Sequence, residues 1–247
     1  MQNKGELPPK DLDALDQGLS DAGAEAPHYL GHRERLRDEF LGSPQALKDY
    51  EILELLLFYC VPRKDTKPLA KAMITRFGSL AGVLNAPAES LAETPSLPRT
   101  APALLKVVGE AAVRMTRREI LDKPILSSWE RVLDYCHMTM AHAGSEQFRI
   151  LFLDRKNALI TDEVQQHGTV DHTPVYPREV VKRALEVGAS SVLIAHNHPS
   201  GDPNPSKGDI EMTRQVRDAL KVVGINLHDH VIIGKSGHCS LRAERLF

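Results

Sequence analysis

The chain has 247 residues, 42% hydrophobic and 26% charged, with a formal net charge of −2. That length allows one large domain or two modest ones, and the near-neutral charge excludes a protein-wide electrostatic pull toward nucleic acid or a membrane surface. Three distant cysteines, Cys60, Cys136 and Cys239, form no Cys-x-x-Cys pair, which excludes a disulfide framework or a thiolate metal site and fits a reducing compartment.

Charge is uneven along the chain. Residues 1–27 hold 2 basic and 6 acidic side chains and read as a disordered acidic tail. Met1–Glu6 carries no apolar leader, and no apolar run approaches membrane-spanning length. The expectation is a cytoplasmic protein with no membrane partner.

From residue 28 to about 120 the pattern is helical. Tyr50–Val61 is apolar nearly all round and predicts a central buried helix. Lys67–Phe77 follows with one apolar stripe and Gly78 as its stop. Leu80, Val83 and Leu84 continue a short helix, and Pro87 suits the first turn of the next. Ala101–Thr116 closes a bundle of about five short helices. The turn Thr94–Thr100 carries two prolines, each without an N–H donor.

Leu121–Pro124 marks a junction, because proline disfavours helix in the residue before it. Beyond it the pattern alternates. A helix over Ser128–Ala141 is opened by a serine cap, and Gln147–Leu153 and Ala158–Gln166 form a hairpin. Pro177 opens a helix that Gly188 ends. The apolar run Val192–Ala195 is a buried strand, Ser206–Val223 a long helix, Ile225–Ile233 a strand, and His238–Leu241 a short last one. The fold class is α/β, a mixed sheet flanked by helices after a small all-α bundle.

Chemistry concentrates where the buried strand ends, in Ala195-His196-Asn197-His198-Pro199-Ser200-Gly201-Asp202-Pro203-Asn204-Pro205-Ser206-Lys207-Gly208-Asp209. Residues two apart on a strand share a face, so His196 and His198 project together. A loop rich in proline then brings Ser206 and Asp209 back at the start of a helix. Two imidazoles and a carboxylate suit a three-ligand zinc site whose fourth position takes water, the arrangement of catalytic zinc. The bland reading is two hydrogen-bonded histidines, with Ser206 as a helix cap and Asp209 complementing the helix dipole. A second His-x-His, His228-Asp229-His230, lies inside an alternating strand and reads as structural or as support behind the ligands. The remaining histidines, His28, His32, His137, His142, His167, His172 and His238, show no grouping.

His196-x-His198-Pro199 followed by Ser206-x-x-Asp209 resembles the JAMM signature of the JAB/MPN metalloenzymes. The longer HNHPSGDPNPS, preceded by Tyr176-Pro177-Arg178-Glu179-Val180-Val181, is similar to the RadC family within that group, over about Ile125 to the C-terminus. The resemblance implies a JAB/MPN zinc hydrolase domain over residues 125–247 with one Zn²⁺ per chain, held by His196, His198 and Asp209. It implies a glutamate general base at the start of the first strand, where Glu146 lies 50 residues before His196. Glu163 in the second strand is the rival and Glu179 a distant third. Ser206 would donate to the oxyanion of a tetrahedral intermediate.

The reaction class so implied is hydrolysis of a peptide or isopeptide bond. The other function the resemblance carries is a DNA repair or recombination accessory protein. There the domain would process or bind a protein or nucleic-acid partner. In that family residues 28–120 resemble a helix-hairpin-helix module whose Gly-x-Gly turn offers N–H groups to phosphate. Here Thr94–Thr100 lacks the glycines, so only weak DNA contact is expected, with Arg99 its one candidate for a phosphate. A third reading is a scaffold with a vestigial metal site, against which the intact motif argues.

Overall fold

The computed structural model describes residues 29–121, 124–167 and 175–247. The acidic tail expected over 1–27, with His28 and His172, lies outside them.

The N-terminal part is helical: α1 (Tyr29–Gly42), α2 (Asp49–Phe58), α3 (Lys67–Phe77), α4 (Leu80–Asn85), α5 (Ala88–Ala92) and α6 (Ala101–Ile120). Leu53, Leu57, Ala70, Met73, Val83, Leu91, Ala101 and Leu105 form its core. The expectation of a helix buried on every side at 50–61 is corrected. Only Leu53, Glu54, Leu57 and Phe58 of α2 are buried, and Tyr59 is exposed. Glu54 is accommodated because His32 of α1 binds its Oε1 at 3.0 Å. Burial raises this carboxyl's pKa, and the His32 contact works against the rise. The 94–100 turn keeps the left-handed conformation that glycine would favour, on a serine: Ser96 has φ 66°.

Helix α6 runs four residues past its expected end. Its last residue, Ile120, is fully buried in the core of the second part, so one helix serves both cores. A 3₁₀ turn over Ile125–Ser128 leads into α7 (Trp129–Met140). Ser128 does not cap that helix through its side chain; its hydroxyl donates to the Pro124 carbonyl instead. Then come β1 (Gln147–Leu153), β2 (Leu159–His167), α8 (Pro177–Glu186), β3 (Ser191–Asn197), α9 (Lys207–Val222), β4 (Asn226–Ile233) and β5 (His238–Ser240).

The strands form one mixed sheet in the order β2-β1-β3-β4-β5. The β3–β4 pair is parallel, with α9 as its crossover, and the other three pairs are antiparallel. Helices cover both faces. Leu151, Leu153, Leu193, Ala195, Val231 and Ile233 pack toward α7. Phe148, Ile150, Phe152, Val192 and Ile194 pack toward α8 and α9, against Val180, Ala184, Val216 and Leu220. A strand buried on both faces needs apolar residues at every position, which explains Val192–Ala195. This α/β architecture is the one expected from the sequence.

One nearly buried carboxylate binds the parts together. Asp162 of β2 accepts from Arg117 Nε of α6 at 2.8 Å and from the Tyr135 hydroxyl of α7 at 2.5 Å, and it pairs with Arg149 of β1.

Candidate metal centre

Strand parity decides which side chains meet. Along β3, Val192 and Ile194 face α8 and α9, so His196, and His198 one step beyond the strand, continue that face. Opposite them, Phe148 of β1 pairs with His196. Continued two residues further, this antiparallel register sets Glu146 across from His198. The loop after His198 turns back under its own bonds. Gly201 N–H donates to the His198 carbonyl at 2.9 Å, and the His198 N–H donates to Ile233 at 3.1 Å. Gly201 takes φ 94°, and a Cβ on Gly234 would lie 2.4 Å from the Gly201 carbonyl oxygen, so the loop seats on the β4–β5 turn only through glycine.

Asp209 is aimed by the helix start. Ser206 caps α9: its Oγ accepts from Asp209 N–H at 3.1 Å, while Asp209 Oδ2 accepts from Ser206 N–H at 2.7 Å. The bland reading of Ser206 and Asp209 is therefore also true, and the cap is what orients the carboxylate.

His196, His198 and Asp209 bring three potential ligand atoms within 4.8 Å of one another. His196 Nε2 lies 3.0 Å from His198 Nε2 and 3.4 Å from Asp209 Oδ1. His198 Nε2 lies 3.6 Å from Asp209 Oδ2. Bonds of ~2.0–2.1 Å to a tetrahedral metal put neighbouring donors about 3.3–3.4 Å apart, and these separations, each taken to the nearer Asp209 oxygen, straddle that value. His198 Nδ1 faces the Asp202 carbonyl at 2.7 Å. A carbonyl only accepts, so Nδ1 carries hydrogen and a neutral His198 leaves Nε2 bare. The donor set fits zinc.

The electrostatics agree. Burial pushes His196 down to about 4. Hydrogen bonding to Asp209 raises His198, with Glu146 adding to the rise. Burial alone would raise Asp209, but the His198 contact, the neighbouring His196 and the Ser206 cap hold it well below the usual carboxylate range.

The sequence-predicted glutamates separate here. Glu146 is half-buried beside the trio, and its charge is felt by His198. Glu163 lies on the edge strand β2, paired with Ile150, and is bound by Arg183 of α8 at 2.6–3.0 Å. Glu179 lies in the first turn of α8, at 3.1 Å from Arg178 Nε. Of the histidines outside the two His-x-His pairs, His32 meets Glu54 and the His137 and His238 rings lie 6.0 Å apart; among the described residues none of them joins the trio's group of potential ligands. His228 touches Trp129, whereas the fully buried His230 contacts His196 Nδ1 at 2.7 Å.

Two residues escaped the sequence reading. Asn197, fully buried, accepts from Gln147 N–H at 2.8 Å and donates to the Ser145 carbonyl at 3.1 Å, pinning the chain on both sides of Glu146. Its strand parity put it off the histidine face, so the pattern gave no reason to weigh it. Thr213 bonds His230 Nδ1 at 2.6 Å and looks in sequence like any core position of α9.

A five-stranded mixed sheet between helices, with this trio at the mouth of its central strand, defines a JAB/MPN-type domain. Residues 126–246 match the family model described as the RadC-like JAB domain, and this part of the chain is a domain of that family. Among the described residues no helix is long and apolar enough to cross a membrane.

Proposed function

We propose that this chain is a zinc-dependent hydrolase of the JAMM type, a metallopeptidase or isopeptidase. One observation carries the reading: two imidazole Nε2 atoms and a carboxylate converge at 3.0–3.6 Å, and among the described residues no lysine or arginine ion-pairs with Asp209. Acceptors crowded this closely call for a cation.

His196, His198 and Asp209 would hold the ion, one per chain. Zinc bound there supplies Lewis-acid activation of water. Glu146, held at the mouth by the Asn197 clamp, takes the water proton and delivers it to the leaving amine. The Ser206 hydroxyl, whose oxygen accepts from Asp209 N–H and whose side chain also bonds the Asp209 carboxylate, would turn its hydrogen from that carboxylate to donate to the developing oxyanion. Metal analysis of the purified protein, followed by a screen of peptide and isopeptide substrates with Glu146→Gln as the inactive control, tests the reading. Absence of zinc from protein prepared without chelator would overturn it.

The DNA accessory reading has weaker support. Within the 94–100 turn the Leu97 N–H is used by the Thr94 carbonyl, and just past it the Ala101 N–H by the Pro98 carbonyl, which removes two donors that a phosphate would need.

A further inference from the structure

His196 meets only half of its environment through the ligand face. Its Nδ1 touches His230 Nε2 at 2.7 Å, His230 Nδ1 touches Thr213 Oγ1 at 2.6 Å, and Thr213 Oγ1 reaches the Asp209 backbone carbonyl at 2.5 Å. This chain of contacts starts on one ligand residue and ends on another, tying β3, β4 and α9 together. His230 and Thr213 are fully buried, and His196 nearly so. The Phe148 ring lies 6.5 Å from the His196 ring and 6.0 Å from that of His230.

The polarity of the chain can be worked out from its end. The Asp209 carbonyl only accepts, so the single hydroxyl hydrogen of Thr213 goes there. Thr213 Oγ1 then accepts from His230, which places hydrogen on His230 Nδ1. A neutral His230 consequently has a bare Nε2, and the hydrogen between the rings belongs to His196 Nδ1. That leaves His196 Nε2 bare, facing His198 and Asp209. Every step follows from one atom, the Thr213 hydroxyl.

We infer that Thr213 and His230 are positioning residues that lock His196 in the tautomer with its Nε2 lone pair open to a metal. The inference rests on the zinc reading for its purpose but not for its test. The opposite polarity would put hydrogen on His196 Nε2 as a donor to Asp209, an arrangement that stabilises the trio without a metal and blocks one ligand.

The test uses full-length protein with ¹⁵N-labelled histidine after chelator treatment. Long-range ¹H–¹⁵N spectra, with the His196 signals identified by their loss in His196→Gln, should show hydrogen on Nδ1 in the wild type. Thr213→Val keeps the shape but removes the hydroxyl, so the locked tautomer should give way to a mixture or to the reverse form. Zinc affinity should fall by roughly 10- to 100-fold, the usual consequence of losing a hydrogen bond behind a metal ligand. Thr213→Ser restores a hydroxyl and should recover both the spectrum and the affinity, which a purely packing role for Thr213 would not predict. Hydrogen on His196 Nε2 in the wild type, or a Val variant with unchanged tautomer and affinity, overturns the inference. Failure of the wild type to bind zinc while His196 keeps Nδ1–H would instead overturn the hydrolase reading and leave the lock standing.

Discussion

Asp162 and Asp209 are both acids of the α/β domain with largely buried side chains, and the chain treats their charges in opposite ways. Around Asp162 it supplies the cations itself. Arg117 and Arg149 both pair with it and the Tyr135 hydroxyl donates to it. Burial alone would raise its pKa, and these partners bring it below the ordinary value. Around Asp209 the ion-pair partners are His196 and His198, neither of which carries a permanent charge. One cluster is electrically complete when the chain folds. The other has a full set of metal donors and lacks fixed positive charge. The difference separates a cluster that holds two parts of a protein together from one that, on the proposed reading, would receive a cation.

The largest effect expected from breaking this contrast is on metal content. Wild-type protein should carry about one zinc per chain, and His196→Ala combined with His198→Ala should remove it entirely while circular dichroism shows the fold intact. Asp209→Asn should weaken zinc binding, because a neutral amide is a poor ligand. Full zinc stoichiometry in the double variant would mean that the cation site lies elsewhere.

Next in size is the separation of base from ligands. Glu146→Gln keeps shape but loses the basic carboxylate, so zinc should stay bound while hydrolysis drops by about two to four powers of ten. Glu163→Gln is the control: it disturbs the Arg183 pair and should leave both properties nearly unchanged. Activity lost in the Glu163 variant and kept in the Glu146 variant would move the base to β2.

Asp162→Asn sharpens the other side of the comparison. It leaves Arg149, whose side chain is only 13% exposed, without its counter-charge, and breaking a buried pair costs about 3–5 kcal/mol. Urea unfolding should show that loss with zinc stoichiometry unchanged. A loss below about 1 kcal/mol would show that the cluster contributes little to holding the helical part against the sheet.

Much of this was legible in the sequence, for local reasons. Lys67–Phe77 and Gln147–Leu153 fall where their periodicity and stop residues put them, because a helix stripe or a strand run is written in consecutive residues. The trio was legible because two ligands are two residues apart and the third sits at a helix start. What stayed hidden depends on partners distant in sequence. Nothing near Asp162 announces Arg117, 45 residues away. Nothing near Glu54 announces His32. Ser128 has the composition of a cap, but the 3₁₀ turn before α7 brings the Pro124 carbonyl to its hydroxyl. Asn197 and Thr213 act through side-chain bonds across the sheet, which no periodicity encodes.

The smallest effect is a pH dependence, and it also distinguishes the two acids. Burial holds His196 down to about 4, against about 6.5 for a free imidazole. Between those values the unfolded chain binds a proton that folded His196 refuses, so stability falls as pH drops, by at most about 1.4 kcal/mol per pH unit for one proton. His198 works in a different window. Its pKa is raised by Asp209, so its contribution is complete below about 6.5 and fades as pH rises through its folded value. Asp162, held below its ordinary pKa, contributes above about 3.9 and is lost only in stronger acid. Chelator-treated protein should therefore lose stability from pH 6.5 to 4.5 on the histidine side alone, with His230, also pushed well down by burial, adding in the same direction. His196→Gln removes one of these protons, so its unfolding free energy should fall less steeply over that window, while Asp162→Asn should keep the wild-type slope from a lower starting value. Identical slopes in the wild type and His196→Gln would show that His196 is not held neutral by burial.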